Sequence, residues 1–165
     1  RMVLVDRLLF GISGLPLGNG TSKFNYASGI DYAKSIGLDA LELLFVRSVN
    51  VTDNNKNIIL KSKSRNDFYL SAHGSHYINL NAKEPEKQEQ SIDRIIKAAE
   101  GLSKVGGRSL IFHLGFYLGE SKENAYKRIR ENLLRLPCTG IDYRLEPTGK
   151  GSQFGTVKEI VSLCK

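Results

Sequence analysis

Three residues of metal-binding type occupy equivalent places along the chain. His73 and His113 each follow a short apolar run, and Glu146 follows a third run. Each lies about one strand–helix unit from the next, since such a unit needs roughly 30 residues or more. Two imidazoles and one carboxylate are a common zinc ligand set that leaves a position open for water. The chemistry they predict is metal-assisted hydrolysis or polarisation of a phosphoryl or carbonyl oxygen.

Each of these residues also has a plain structural explanation. A histidine at the end of a strand can simply be hydrogen-bonded there. Glu146 has Arg144 and Lys150 close by in sequence, and either could be its ion-pair partner. At the level of residue types alone, a metal site and these separate structural roles both stand.

The elements that must position these residues form a regular series. Apolar periodicity and turn residues predict strands over residues 8–12, 40–45, 68–72, 109–112 and 141–145. They predict helices over residues 26–36, 86–105 and 156–164, one capped by Asp53 and ending near 64, and one capped by Ser121 and ending near 136. This alternation predicts a parallel sheet, either open and doubly wound or part of a barrel. Its strand C-termini share one face, so the three residues are expected to converge.

Composition limits the class of protein. The chain has 165 residues, 41% of them hydrophobic and 25% charged, which excludes collagen-like and disordered classes. Residues 14–20 lack the glycine spacing of a dinucleotide-binding turn. No apolar run reaches the roughly 20 residues that span a bilayer, so no membrane partner is expected.

Cys138 and Cys164 form no ligand pair, which predicts a reduced, cytoplasmic protein. The net charge of +7 suits a polyanionic partner such as nucleic acid.

Three ordered motifs point to a known family. They are His73-x-Ser75-x-x-Ile78-Asn79-Leu80, Phe112-His113-x-Gly115 and Glu146-x-Thr148-Gly149-x-x-Ser152-x-x-Gly155. Together they resemble the endonuclease IV family of apurinic/apyrimidinic endonucleases, within the xylose-isomerase-like barrels. The resemblance runs from about Leu9 to Lys165, and it is nearest to a branch with the Tyr-Ile-Asn-Leu-Asn run found here at residues 77–81.

The resemblance implies a metal centre and a reaction. His73 and His113 would be zinc ligands, and Glu146 would be a catalytic, bridging ligand within a trinuclear cluster of which this chain holds one site. Manganese is the alternative ion. The implied reaction is hydrolysis of duplex DNA on the 5′ side of abasic sites, as in base excision repair. His76 and Tyr77, together with Arg47 and Lys150, which follow strand ends on the same face, are the expected nucleic-acid contacts. The alternative roles are an exposed loop residue for His76, a cover of the barrel mouth for Tyr77 and solvated surface charges for the other two.

The sequence departs from the family pattern at three positions. Ser13 stands where many members have histidine, His76 stands at a usually aromatic position, and Leu114 replaces a usual proline. These changes concern recognition of abasic sites more than the fold. Glu42 on the second strand could also point into the site, although a surface or inner-layer carboxylate is the simpler expectation.

The number of units sets a further expectation. Five strand–helix units cannot close an eight-stranded barrel, which takes roughly 250 residues. We therefore expect residues 1–165 to be a single domain forming the N-terminal portion of a TIM barrel, catalytically incomplete by itself. Its first and fifth strands would leave unpaired edges through which copies of the chain could associate.

The sequence thus predicts an endonuclease IV-type metal-dependent hydrolase, a conclusion with two rivals. One is a sugar or sugar-phosphate isomerase or epimerase on the same scaffold. The other is a basic nucleic-acid-binding module without catalysis, whose DNA binding would depend on salt but not on chelators.

Overall fold

Five strands alternate with five helices in the structure. It is a computed structural model that describes residues 7–18, 20 and 23–165. The elements are β1 (Gly11–Ser13), α1 (Tyr26–Ser35), β2 (Ala40–Leu44), α2 (Lys56–Arg65), β3 (Tyr69–His73), α3 (Pro85–Lys104), β4 (Ser109–Phe112), α4 (Lys122–Leu133), β5 (Asp142–Leu145) and α5 (Val157–Leu163).

The strands form one parallel sheet in the order β1-β2-β3-β4-β5. Each neighbouring pair is joined by a helical crossover, as a parallel sheet requires. Within the described residues, β1 and β5 each pair with a single strand, so the sheet is not closed there. The predicted TIM-barrel-type repeat with an incomplete barrel is confirmed. Association of copies through the two edges stays a prediction.

The two faces of the sheet differ in polarity, and this difference determines where the site lies. On the face against the helices, Leu41, Leu43, Leu70, Ala72, Leu110 and Phe112 are almost fully buried. Burying each large apolar side chain stabilises the fold by about 1.5–3 kcal/mol. The opposite face carries half-buried Glu42, Ser71 and His73. Because side chains alternate along a strand, the apolar core fixes which residues point toward the site.

Helix α3 supplies the largest share of the core from the helical layer. Its buried residues Ile92, Ile95, Ala99 and Leu102 recur at helical spacing. Pro85 occupies the first turn, where its missing N–H costs nothing. The predicted boundaries of this helix agree with the structure to within one residue.

Three predicted boundaries are wrong. The first strand begins at Gly11, and Leu8 and Phe10 are exposed by 74% and 62%, because this edge strand has a neighbour on one side only. Asp53 does not cap α2, because this helix begins after Asn55. The carboxylate of Asp53 instead lies 2.7 Å from Lys56 Nζ. Helix α4 ends at Leu133 rather than near residue 136, and the segment leading to Pro137 is a turn.

The cap predicted for α4 is present, and α5 also begins with a side-chain cap. Ser121 accepts a hydrogen bond from the backbone N–H of Asn124 at the start of α4. Thr156 and Glu159 form a reciprocal capping box at the start of α5. No helix in the described part of the chain is both long and apolar enough to cross a membrane.

Candidate metal centre

Three adjacent strands bring the predicted ligands to one edge of the sheet. His73 is the last residue of β3, and His113 and Glu146 directly follow β4 and β5. The register that pairs Phe112 with Leu145 sets His113 beside Glu146, and Glu146 N–H donates to Phe112 C=O at 3.1 Å. The parallel ladder therefore carries all three side chains to the carboxyl end of the sheet.

The side chains meet there around one carboxylate oxygen. His73 Nε2 lies 2.8 Å from Glu146 Oε2, and His113 Nε2 lies 3.4 Å from the same oxygen. One ligand atom from each of the three residues falls within 4.8 Å of the others. The two imidazole rings are 5.7 Å apart between centroids. Glu146 therefore faces the two histidines and not Arg144, which pairs with Asp142.

The hydrogen bonds of His73 show that a cation is needed between His73 and Glu146. Its Nδ1 lies 2.9 Å from Gly74 C=O, which can only accept, so the ring proton is assigned to Nδ1. In the neutral ring, Nε2 then presents a lone pair to Glu146 Oε2, another acceptor. Two acceptors this close repel each other unless a cation lies between them. A second proton on the ring or a metal ion would meet that need.

His113 presents one ring nitrogen to the cluster and has its other ring nitrogen buried. Its Nδ1 is buried and has no hydrogen-bond partner among the described residues. Its Nε2, the outward nitrogen, faces Glu146. The three residues thus offer two imidazole nitrogens and a carboxylate oxygen to one small volume, and the donor set suits zinc.

A part-buried polar lock, formed by Asn79 and Asn81, joins the loop after β3 to the loop after β4. Asn79 Oδ1 accepts hydrogen bonds from the backbone N–H groups of Asn81 and Phe116, at 3.1 and 3.3 Å. The fully buried Asn81 donates through its side-chain amide to the carbonyls of Phe116 and Tyr117. Gly115 lies against Asn79, so the lock packs against the backbone two residues after His113.

The composition of the lock was not predicted. Asn79 and Asn81 appear in the sequence only as part of a family motif. The available signal was two asparagines flanking Leu80, an apolar residue with no exposed surface. Polar side chains in such a place need hydrogen-bond partners.

The loop after β4 is also joined to the loop after β5. Phe116 and Gln153 form an isolated bridge, and Tyr117 N–H donates to Ser152 C=O at 3.1 Å. The Tyr117 hydroxyl donates to Glu159 at 2.6 Å. Burial and this carboxylate raise the pKa of Tyr117 to about 12. The residues that follow His113 are therefore anchored to the segment that follows Glu146.

The remaining predicted residues lie around the cluster. The ring of exposed His76 is 5.8 Å from that of His73, outside the group of three ligand atoms. Tyr77 is exposed, and so are Arg47 and Lys150, which follow β2 and β5. Glu42 does not join the cluster; it accepts a hydrogen bond from Ser13 at 2.7 Å.

Comparison with known proteins gives a family and several relatives. Residues 30–165 match the family model described as a xylose isomerase-like TIM barrel. An uncharacterised protein of Methanocaldococcus jannaschii, MJ0133, is 39% identical over 163 residues, covering 95% of this chain and 57% of that protein. A probable endonuclease 4 of Staphylococcus carnosus is 28% identical over 99 residues, covering 57% of this chain and 33% of that protein.

A solved structure shares the fold. The crystal structure of D-psicose 3-epimerase with D-tagatose from Clostridium cellulolyticum H10 superposes with a TM-score of 0.75 at 15% identity. It covers 95% of this chain and 59% of the epimerase chain. This chain thus spans little more than half the length of the first of these relatives, and at this identity the superposition shows the fold alone. The match of residues 30–165 to the family model is the decisive one: the chain belongs to the xylose isomerase-like TIM barrel family.

Proposed function

We propose that the chain carries part of the active centre of a metal-dependent phosphodiester hydrolase of the endonuclease IV type. The observation that carries this proposal is the convergence of His73, His113 and Glu146 from three consecutive strand ends. The proposed reaction is cleavage of duplex DNA on the 5′ side of abasic sites. It is a proposal for the whole protein, since the chain spans 57% of one curated relative and 33% of the other.

The three residues would hold the metal through two nitrogens and one oxygen. A donor set rich in imidazole favours zinc, whereas magnesium and manganese favour mainly carboxylate and water. When bound, a zinc ion lowers the pKa of water and polarises a phosphoryl oxygen. Manganese is the second ion we propose to test.

Glu146 is the proposed catalytic residue of this chain. Its Oε2 faces both histidines, and its side chain is 37% exposed. Nothing in the described residues hydrogen-bonds to Oε1, which can accept a hydrogen bond or a proton from a water molecule at the mouth of the site. Its oxygens can thus divide the tasks of holding the cation and orienting water.

Charge and sequence similarity support DNA as the substrate. The chain has 24 Lys and Arg residues against 17 Asp and Glu residues. Arg47 and Lys150 are exposed near the strand ends that carry the site, where a phosphate backbone would pass. Among the relatives, a probable endonuclease 4 matches by sequence. We also propose a reducing, cytoplasmic location, because both cysteines are free and exposed.

A calorimetric zinc titration of the chain is the first test. We expect stoichiometric binding in the unaltered chain and binding at least about 100-fold weaker in His113→Ala, since even outer-sphere changes cost 10–100-fold. The matched control is His76→Ala, which removes the third histidine and should leave zinc affinity unchanged. Equal zinc binding by the His113→Ala variant, or none by the folded unaltered chain, would contradict the proposed centre.

A cleavage assay then tests the reaction. A labelled duplex with one abasic site should be cut in the presence of zinc, and chelation or Glu146→Gln should abolish the cut. Glu42→Gln is the control, because that carboxylate pairs with Ser13 and lies outside the cluster. DNA binding that neither chelator nor His113→Ala alters, without cleavage, would favour a non-catalytic binding module.

A sugar epimerase is the second candidate function. The observation in its favour is the polar inner face of the sheet, where Tyr69 and Ser109 hydroxyls lie 2.9 Å apart and Ser13 bonds Glu42. Hydroxyl and carboxylate groups on the same face of the sheet as the metal ligands also suit a polyol. Zinc- or manganese-dependent epimerisation of a ketose, with no cleavage of DNA, would support this function instead.

A further inference from the structure

An exposed tyrosine and an arginine form a pair beside the candidate metal centre. The guanidinium carbon of Arg94, on α3, lies 5.9 Å from the ring centroid of Tyr77, in the loop after β3. Tyr77 is 67% exposed. Guanidinium groups favour the faces of aromatic rings. One face of the ring therefore lies against Arg94 while much of the side chain meets solvent.

Arg94 has no acidic partner among the described residues, whereas two other arginines of the helical layer do. Arg128 pairs with Glu120 at 2.6 Å, and Arg135 pairs with Glu89. For Arg94, itself half-buried, the described residues supply no ion pair and no hydrogen bond. Its five N–H donors are thus free to bind an anion. A guanidinium held against a ring also loses less entropy when it binds.

The pair lies next to the proposed chemistry. Tyr77 directly follows His76, whose ring is 5.8 Å from that of the candidate ligand His73. The lock residue Asn79 lies two positions further on and ties the same loop to the loop after β4. The loop that presents Tyr77 is therefore anchored close to the metal centre.

We propose that Tyr77 and Arg94 form a nucleotide-binding platform for the DNA strand. The ring of Tyr77 stacks on an unpaired base or a deoxyribose, and Arg94 binds the adjoining phosphate through two N–H groups. This inference rests on the proposed function and adds Arg94 as a DNA-binding residue. A ring for stacking and a planar cation for phosphate are the two chemical parts of one nucleotide.

The test is the binding of a short labelled duplex with one abasic-site analogue, followed by fluorescence anisotropy. EDTA in all samples prevents cleavage and separates binding from the metal centre. The variants are Arg94→Gln, Arg94→Lys and Tyr77→Leu. Arg130→Gln is the matched control, since Arg130 is an exposed arginine on α4 with no ion pair among the described residues.

We expect Arg94→Gln to lower the slope of log affinity against log salt by about 0.9, the value for one lost phosphate contact. Tyr77→Leu should weaken binding roughly five-fold or more at constant slope, because stacking carries no charge. Arg94→Lys should keep the slope and lose part of the affinity. A purely structural role for Arg94 would not change the salt slope.

Two results would overturn the inference. Only the second of them would also overturn DNA as the proposed substrate. If the unaltered chain binds DNA and both Arg94→Gln and Tyr77→Leu behave like Arg130→Gln, the platform is wrong while DNA remains a valid substrate. If the folded, unaltered chain does not bind DNA at any salt concentration, DNA as substrate fails together with the platform.

Discussion

Replacing Gly115 by alanine should break the lock between the loops that carry His73 and His113. Gly115 has φ +132, a backbone conformation that side chains other than that of glycine rarely adopt. A Cβ at this position would lie 2.2 Å from Asn79 Oδ1 and 3.1 Å from Asn79 Cα. Because one of these atoms is backbone, rotation of the Asn79 side chain cannot relieve both contacts.

The magnitude follows from two contributions. Backbone strain at such a φ costs about 1–3 kcal/mol. Displacing Asn79 Oδ1 leaves the part-buried N–H groups of Asn81 and Phe116 without their acceptor, at about 1–1.5 kcal/mol each, the low end of the cost of an unpaired buried donor. The free energy of unfolding should therefore fall by roughly 3–6 kcal/mol, a large part of the 5–15 kcal/mol typical of a domain.

Urea denaturation followed by circular dichroism measures this loss, and Gly119→Ala is the control. Gly119 also has a positive φ, +76, but a Cβ there would meet nothing within 4 Å. We expect Gly119→Ala to cost only about 1–2 kcal/mol of strain. With a urea m-value of about 1–3 kcal/mol/M, the midpoints of the two variants should differ by at least about 0.3 M, and by about 1.5 M at the middle of these ranges. Equal midpoints would refute the reasoning, because the contact with Asn79 would then contribute nothing.

Two further predictions concern pH. Burial and Glu159 raise the pKa of Tyr117 from 10.0 to about 12. The neutral phenol therefore stabilises the fold below about pH 10, and this stabilisation disappears as the pH rises through about 12. Absorbance near 295 nm should show a late tyrosine titration that Tyr117→Phe removes, beside that of Tyr26, whose pKa burial also raises; a curve unchanged by Tyr117→Phe would contradict the assignment. For Asp31, burial opposes ionisation, but hydrogen bonds from Ser62, Arg65 and Asn66 outweigh it and lower the pKa from 3.8. The stability advantage over Asp31→Asn should therefore persist above about pH 4 and shrink as the pH falls below it; a constant difference between urea midpoints would contradict this.

The sequence was sufficient to predict the fold and the three converging residues because both follow from local rules. Alternating strand and helix patterns predict a parallel sheet, and a parallel sheet brings strand ends to one edge. His73, His113 and Glu146 needed no knowledge of side-chain packing to be placed together. Boundaries were less reliable where a neighbour decides them: Leu8 and Phe10 look like core residues in sequence, but the edge strand leaves them exposed.

Features that depend on the meeting of distant segments could not be predicted. The pairing of Tyr77 with Arg94 depends on which way a loop leaves β3 and on which face α3 turns toward it. The contact of Asn79 with Gly115 likewise joins two loops separated by the whole of α3. Hydrophobic periodicity gives the buried face of a helix, but it does not give the path of the loop beside it.

The different polarity of the two faces of the sheet affects how the metal centre is held in place. The apolar core lies on the helix side of the sheet, whereas the candidate ligands project from the polar side, where few apolar contacts can fix them. Hydrogen bonds must therefore supply the rigidity that packing supplies elsewhere. Asn79 and Asn81 do so with backbone partners from the neighbouring loop, and buried amides of this kind stabilise a structure only while their hydrogen bonds are made. Loop stability and the geometry of His113 are thus coupled through groups that touch no ligand.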